Sequence, residues 1–338
     1  MTNRNILSRP ERPAPLFLKP AGKDYLWGGN RLNDDFAKGI DLSPLAETWE
    51  CSTHPDGPST VAGGPLDGRT LAEVLKDHPE YLGTHPAIRD GLPILVKLID
   101  AKQDLSVQVH PDDDYAREHE NGQLGKTEMW YVLDAARDAY LVFGLNRDMT
   151  AEELRSRIAS GTLEGCLQKV PIHKNDVFYV KAGTIHAIGA GALIAEIQES
   201  SNLTYRMYDY DRVGKDGKKR SLHVEKALAV ADRKAHGTPA QPIRVLNYSR
   251  GCARELLGRC KYFEVSRMLL NTERCREMVA YRAGEESFRV LLCVDGCGSL
   301  QEENGTIRNF FKGDCIFFPA DSGMVHLHGQ AQLLDIRG

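Results

Sequence analysis

Ser106-Val107-Gln108-Val109-His110-Pro111 is the stretch on which the reading of this chain turns. Along an extended strand, successive side chains point to opposite faces. Gln108 and His110 therefore share one face, and Leu105, Val107 and Val109 share the other. Polar groups on an inward face need partners, and a metal ion inside a β-barrel would serve both residues at once. A strand histidine taken alone is more often a hydrogen-bonded core residue or a surface residue, so the reading needs further ligands. Glu128 begins a strong strand pattern in Gly125-Lys126-Thr127-Glu128-Met129-Trp130, and His186 follows a glycine turn in Lys181-Ala182-Gly183-Thr184-Ile185-His186. One glutamine, one glutamate and two histidines make a mixed nitrogen and oxygen set. It suits zinc, and also manganese, iron or nickel.

The surrounding pattern is mainly β. Short apolar runs bounded by Gly, Pro and Asp recur at residues 92–99, 105–110, 128–133, 176–180, 192–198 and 288–294, the mark of a sandwich or barrel. Helices are few. Thr70 and Glu73 are spaced as a capping box, Thr150 opens a second helix in the same way, and Val224, Ala227, Leu228 and Ala231 follow Ser221 at helical spacing. Helices and strands do not alternate as a doubly wound sheet requires. A weak internal repeat sets residues 174–182 against 312–320, and Leu133 against Val294. Residues 237–242, with two prolines, read as a linker. The expected division is a catalytic unit over 1–236 and a smaller unit over 243–338.

Composition excludes several classes. The 338 residues are 41% hydrophobic and 27% charged, with a formal net charge of -4, which is ordinary globular material. The longest basic run, Lys218-Lys219-Arg220, reads as a solvated turn and not as a track for nucleic acid. No apolar stretch approaches the roughly 18 residues of a membrane span. Residues 1–17 carry no targeting pattern, so the expected location is cytoplasmic. The eight cysteines form no CxxC pair, and reduced thiols are expected.

The motifs together resemble the mannose-6-phosphate isomerase family in its short bacterial, type I form. They are Leu95-Val96-Lys97, residues 106–111, 125–131 and 182–187, and Glu196-Ile197-Gln198-Glu199-Ser200-Ser201-Asn202-Leu203-Thr204-Tyr205-Arg206-Met207-Tyr208-Asp209. Residues 25–29 and 47–50 add to them, and the resemblance covers roughly residues 15 to 235. It implies a cupin (jelly-roll) barrel with a metal site, followed by a second, smaller, metal-free cupin-like barrel. It also implies one divalent metal, zinc by preference, held by His110, Glu128 and His186 with Gln108 as fourth ligand. It points to an active-site Arg206, to Lys97 and Lys126 in the substrate pocket, and to Ser106 near a phosphate. The implied substrate is a hexose 6-phosphate, with no nucleic-acid or membrane partner and the oligomeric state open. Lys181 stands where the family usually has proline, which alters the turn before His186 and leaves the ligand in place.

The implied reaction moves a proton between C1 and C2 of an open-chain sugar through a cis-enediol. That needs a base and cations at the developing oxyanion. Glu196 is a candidate base or else a carboxylate that orients His186, and Lys126 supplies charge beside Glu128. In the second repeat, Arg289 falls opposite Glu128 and Met324 opposite His186, while His326 and His328 lie out of register. An iron dioxygenase of the same fold would place a histidine where Gln108 stands. A sugar-binding cupin without turnover is the rival from another class.

Overall fold

The structure is a computed structural model and describes residues 12–85, 91–214 and 216–338. The targeting reading therefore falls, through residue 11, outside the described residues. Every apolar run named above contains a strand. The fit is close at Glu128–Ala135, Val177–Val180 and Ala192–Glu199. The run at 105–110 keeps only Val107–Val109 in its strand.

Three sheets organise the described residues. A six-stranded sheet runs in spatial order Val177–Val180, Glu128–Ala135, Ala192–Glu199, Ile94–Ala101, Glu47–Cys51, Ala21–Lys23. A five-stranded sheet runs Tyr205–Tyr208, Val107–Val109, His186–Ile188, Tyr140–Leu145, Leu167–Pro171. Side chains from both sheets share one core, including Trp130, Ile194 and Phe178 from the first and Leu141, Val170 and Ile188 from the second. These two sheets face each other as the first barrel. A ten-stranded sheet holds the C-terminal strands of the second barrel, among them Glu264–Asn271, Arg289–Glu302, Cys315–Phe318 and Val325–Arg337.

The six-stranded sheet is buried on both faces. Trp130, Ile99 and Ile194 point into the first barrel. Met129, Tyr131, Leu98 and Ala195, one residue out of phase, pack against Leu257, Val265, Phe288 and Phe317 of the ten-stranded sheet. This is why its strands read as near-continuous apolar runs, where a sheet with one wet face would alternate. Leu16–Lys19 and Thr60–Ala62 do not stay with the first barrel. They extend the ten-stranded sheet, Leu16–Lys19 pairing with Cys315–Phe318. The edge of the second barrel is thus completed by N-terminal chain, which a division by chain order at 236 and 243 does not capture. Residues 237–242 carry no regular structure, although Gln241 accepts a 2.7 Å hydrogen bond from Val177 N.

The helices start where expected. Thr70 accepts from Glu73 N, and Glu73 accepts from Thr70 N, so the capping box is complete. Thr150 caps Glu153 N at 3.1 Å. Val224–Val230 buries Ala227 and Leu228 against the outer face of the five-stranded sheet. All eight cysteines are free thiols. Cys293 and Cys297 lie within one long strand, Arg289–Glu302, that is irregular between Cys293 and Asp295.

The internal repeat is real in strand register. Tyr131 pairs with Val177 and Glu128 with Val180. In the second barrel Leu292 pairs with Cys315 and Arg289 with Phe318. The same offset therefore puts Arg289 at the place of Glu128. On the neighbouring strand, Glu196 pairs with Trp130 and Asp335 with Leu291, so Asp335 stands at the place of Glu196. Arg289 meets Asp335 at 3.0 Å, and Tyr281 donates to Asp335 at 2.9 Å. A cation and an acid bound to each other fill the position where the first barrel gathers ligands. His326 and His328 are on the exposed face of their strand, and His328 meets Thr272 at 2.7 Å.

Cutting a buried ion pair on one side leaves an uncompensated charge. Arg289→Ala should destabilise the protein by about 3 kcal/mol, read as a lower denaturant midpoint with an unchanged slope.

Candidate active site

Strand register assembles the site. In the five-stranded sheet, Arg206, Gln108 and His186 lie in one row across three adjacent strands. In the six-stranded sheet, Lys97, Glu196 and Trp130 form a facing row. Glu128, two residues before Trp130, points the same way. His110 follows the Val107–Val109 strand, and its carbonyl accepts from Gly183 N at 2.9 Å in the turn that leads to His186. That turn closes through Thr184 N to Lys181 O at 3.1 Å, and Gly183 takes a φ of 86° there. Glycine adopts this conformation without strain, so Lys181 occupies the turn and His186 keeps its place.

His110, Glu128 and His186 are buried and bring one potential ligand atom each to within 4.8 Å of one another. Glu128 Oε1 is 3.1 Å from His110 Nε2 and 2.9 Å from Lys126 Nζ, and its Oε2 is 3.8 Å from His186 Nε2. Of these, the Lys126 contact is an ion pair, and neither imidazole contact is a well-formed hydrogen bond. Both ring nitrogens of His110 and both oxygens of Glu128 find no hydrogen-bond partner. Buried polar atoms are rarely left so. His186 Nδ1 donates to the Thr184 carbonyl at 2.8 Å, a contact that leaves Nε2 with its lone pair toward the cluster. Gln108 approaches that Nε2 at 3.4 Å through its amide. Two neutral imidazoles and a buried carboxylate, with the His110 ring nitrogens and Glu128 oxygens left without hydrogen bonds, fit a divalent cation.

The charges agree with this. Burial, helped by the Lys126 ammonium, pushes the His110 imidazole down to about 3. Burial also lowers His186. Burial would raise Glu128, but Lys126 and His110 outweigh it and hold the carboxyl well below its usual range. Glu196 is raised by burial and then by Glu128, with Lys97 opposing. Its Oε2 accepts from Trp130 Nε1 at 3.0 Å, and its Oε1 is 3.3 Å from Lys97 Nζ. The Lys97 ammonium is favoured by Glu47 and Glu196 over the burial that opposes it.

A cavity of about 250 Å³ opens beside the cluster, and its walls hold Lys97, Ser106, Gln108, Lys126, Glu196 and Arg206. Every residue expected at the site thus belongs either to the cluster or to this cavity. Arg206 Nε donates to Ser106 Oγ at 3.2 Å and Nη1 to the Ser221 carbonyl at 3.1 Å.

Arg220 belongs to the basic run that reads as a solvated turn, yet it lines the cavity with Tyr25, Glu47 and Asn202. Asp209 holds it there with 2.8 Å and 2.6 Å hydrogen bonds to Nε and Nη2. Lys218 and Lys219 remain exposed. Nothing in the local pattern separates Arg220 from those two neighbours; only the buried Asp209 carboxylate, which lies 11 residues earlier, draws it inward.

Comparison with known proteins agrees with the geometry. Residues 16–139 match the model of the phosphomannose isomerase type I catalytic domain. The probable mannose-6-phosphate isomerase GmuF of Bacillus subtilis is 52% identical over 218 residues, 64% of this chain and 68% of that protein. Mannose-6-phosphate isomerase ManA of the same organism is 38% identical over 323 residues, 95% of this chain and 98% of that protein. A crystal structure of the Bacillus subtilis mannose 6-phosphate isomerase superposes with a TM-score of 0.86 at 36% identity, covering 96% of this chain and 99% of that one.

The depressed imidazoles fix a pH dependence. A folded pKa below the unfolded value contributes stability that is present above the unfolded pKa and lost as pH falls through the folded one. For His110 that window runs from 6.5 down to about 3. The metal-free protein should lose thermal stability as pH falls below 6.5, and His110→Gln should flatten that slope in melting curves.

Proposed function

The chain belongs to the type I phosphomannose isomerases, the enzymes that interconvert mannose 6-phosphate and fructose 6-phosphate, and from that premise we propose how its residues divide the reaction. His110, Glu128, His186 and the side-chain oxygen of Gln108 would hold one zinc ion, which when bound supplies a fixed positive charge to the sugar oxygens near the reacting carbons. The single observation that carries this reading is the set of four ring and carboxylate atoms of His110 and Glu128 buried without a hydrogen bond beside His186.

Glu196 is the proposed base. It shuttles the proton between C2 and C1, passing through the cis-enediol. A buried carboxyl with a raised pKa is suited to take up and return a proton near neutral pH. The other reading of Glu196, as the group that orients His186, is weakened because the Thr184 carbonyl already takes the His186 Nδ1 proton. Trp130 and Lys97 fix the Glu196 carboxyl from two sides. Lys126 holds the Glu128 carboxylate charged and faces the cavity.

Arg206 presents a planar fork of donors to substrate oxygens. Ser106 and Ser221 pre-set its orientation, so the charge needs no reorganisation when the enediolate forms. The 6-phosphate carries nearly two negative charges, and Arg220 with the Ser106 hydroxyl receives it. Asp209, which also binds Arg212, aims Arg220 into the cavity. The free thiols and the absence, among the described residues, of a helix long and apolar enough to cross a membrane accord with a cytoplasmic enzyme.

A coupled assay should show mannose 6-phosphate turnover that a chelator abolishes and zinc restores. Full activity in chelated, metal-free protein would refute the metal assignment. Arg206→Ala should lower kcat by about 100-fold or more, as loss of a preorganised charge does. Arg220→Ala should instead raise KM by about tenfold with kcat nearly kept, the signature of a group that binds ground and transition state alike.

A further inference from the structure

The strand that carries Glu128 is entered through Gly125-Lys126-Thr127, and each backbone N–H of this segment is fixed from outside it. Gly125 N donates to Asp113 Oδ1 at 3.0 Å, Lys126 N to the Pro111 carbonyl at 3.0 Å, and Thr127 N to Glu199 Oε1 at 2.7 Å. The Thr127 carbonyl accepts from Glu199 N at 3.1 Å. Gly125 is pressed so closely on Asp112, the cap of the preceding helix Asp113–His119, that a Cβ there would stand 2.4 Å from the Asp112 carbonyl carbon. Two acids therefore suspend the segment that delivers Lys126 and Glu128.

One of those acids, Asp113, is held by the second barrel. Between its strands Cys252–Arg259 and Glu264–Asn271, the hairpin tip reaches across to Asp113. Tyr262 Oη donates to Asp113 Oδ2 at 2.7 Å, and Lys261 Nζ approaches the same oxygen at 3.1 Å. The hairpin is seated beside this point, since Gly258 comes so near the Glu128–Ala135 strand that a Cβ would stand 2.9 Å from Met129 Sδ. Burial, and then the nearby Asp113 carboxylate, raise the Glu199 carboxyl, so the two acids sense each other. Tyr262 and Lys261 hold the Asp113 carboxyl in place against Gly125.

We propose that the Lys261–Tyr262 hairpin of the second barrel is a positioning element for the active site, acting through Asp113 on Gly125 and so on the segment 125–127 that sets the place of Lys126 and Glu128. The inference gives the second barrel a part in the reaction. It rests on the metal reading above for its consequence, though not for its geometry. Neither Tyr262 nor Lys261 lines the catalytic cavity; they are positioning residues.

The test uses the full-length protein and two readouts that do not depend on turnover. Hydrogen exchange of peptides spanning residues 123–131 should be at least about tenfold faster in Tyr262→Phe than in wild type, while peptides from the second-barrel strand Arg289–Glu302 stay as protected. Zinc affinity, read by competition with a chromophoric chelator, should fall about tenfold, within the 10–100-fold typical of groups that support metal ligands. Asp113→Asn should act the same way, and excess zinc should restore kcat in both variants with KM unchanged. Unchanged exchange at 123–131 in both variants would overturn the proposal, and so would faster exchange with wild-type zinc affinity. Failure of the wild-type protein to take up zinc would count against the metal reading instead, and the exchange measurement would still decide this one.

Discussion

The structure depends on the buried meeting of His110, Glu128 and His186. Burying the Glu128 carboxylate costs several kcal/mol, His110 adds two ring nitrogens without hydrogen bonds, and a fold keeps such a cost only where something compensates it. Lys126 compensates part, by charge, at 2.9 Å from Glu128. A divalent cation held by the three would compensate the rest, and burial already keeps both histidines neutral and ready to ligate. The six-stranded and five-stranded sheets are two walls that bring these donors to one point from distant parts of the chain.

The six-stranded sheet serves two cores at once. Its inward residues Lys97, Glu128, Trp130 and Glu196 build chemistry, while the alternate residues Met129, Tyr131 and Ala195 bind the two barrels together. A displacement at the inter-barrel core therefore reaches Glu128 through one strand, with no intervening loop. The second barrel repeats the register of the first and gives up the ligand set. Arg289 and Asp335 neutralise each other where Glu128 and Glu196 stand in the first barrel, so the repeat keeps the fold and spends the site on stability.

Much of this was legible in the sequence because it is local. Alternation in residues 105–110 and 128–133 fixes strand and face together, and the capping box at Thr70 is a pattern of four residues. The family motifs carried the site residues Lys97, Ser106, Lys126, Glu196 and Arg206, all of which the structure brings to one cavity or its cluster. What stayed hidden is long-range. Arg220 looks like Lys218 and Lys219 until Asp209 draws it inward. The pairing of Leu16–Lys19 with Cys315–Phe318 joins the ends of the chain, and no short pattern announces it. The hold of Tyr262 on Asp113 likewise exists only after two barrels have docked.

The central claim is that one cation sits among His110, Glu128 and His186. An anomalous difference map from crystals of the zinc-loaded protein tests it most directly. The account predicts a single strong peak at about 2.0–2.2 Å from one nitrogen of each histidine and one oxygen of Glu128, with the Gln108 side-chain oxygen completing the shell. A peak elsewhere, or none while the enzyme in the same crystals turns over substrate, would contradict it.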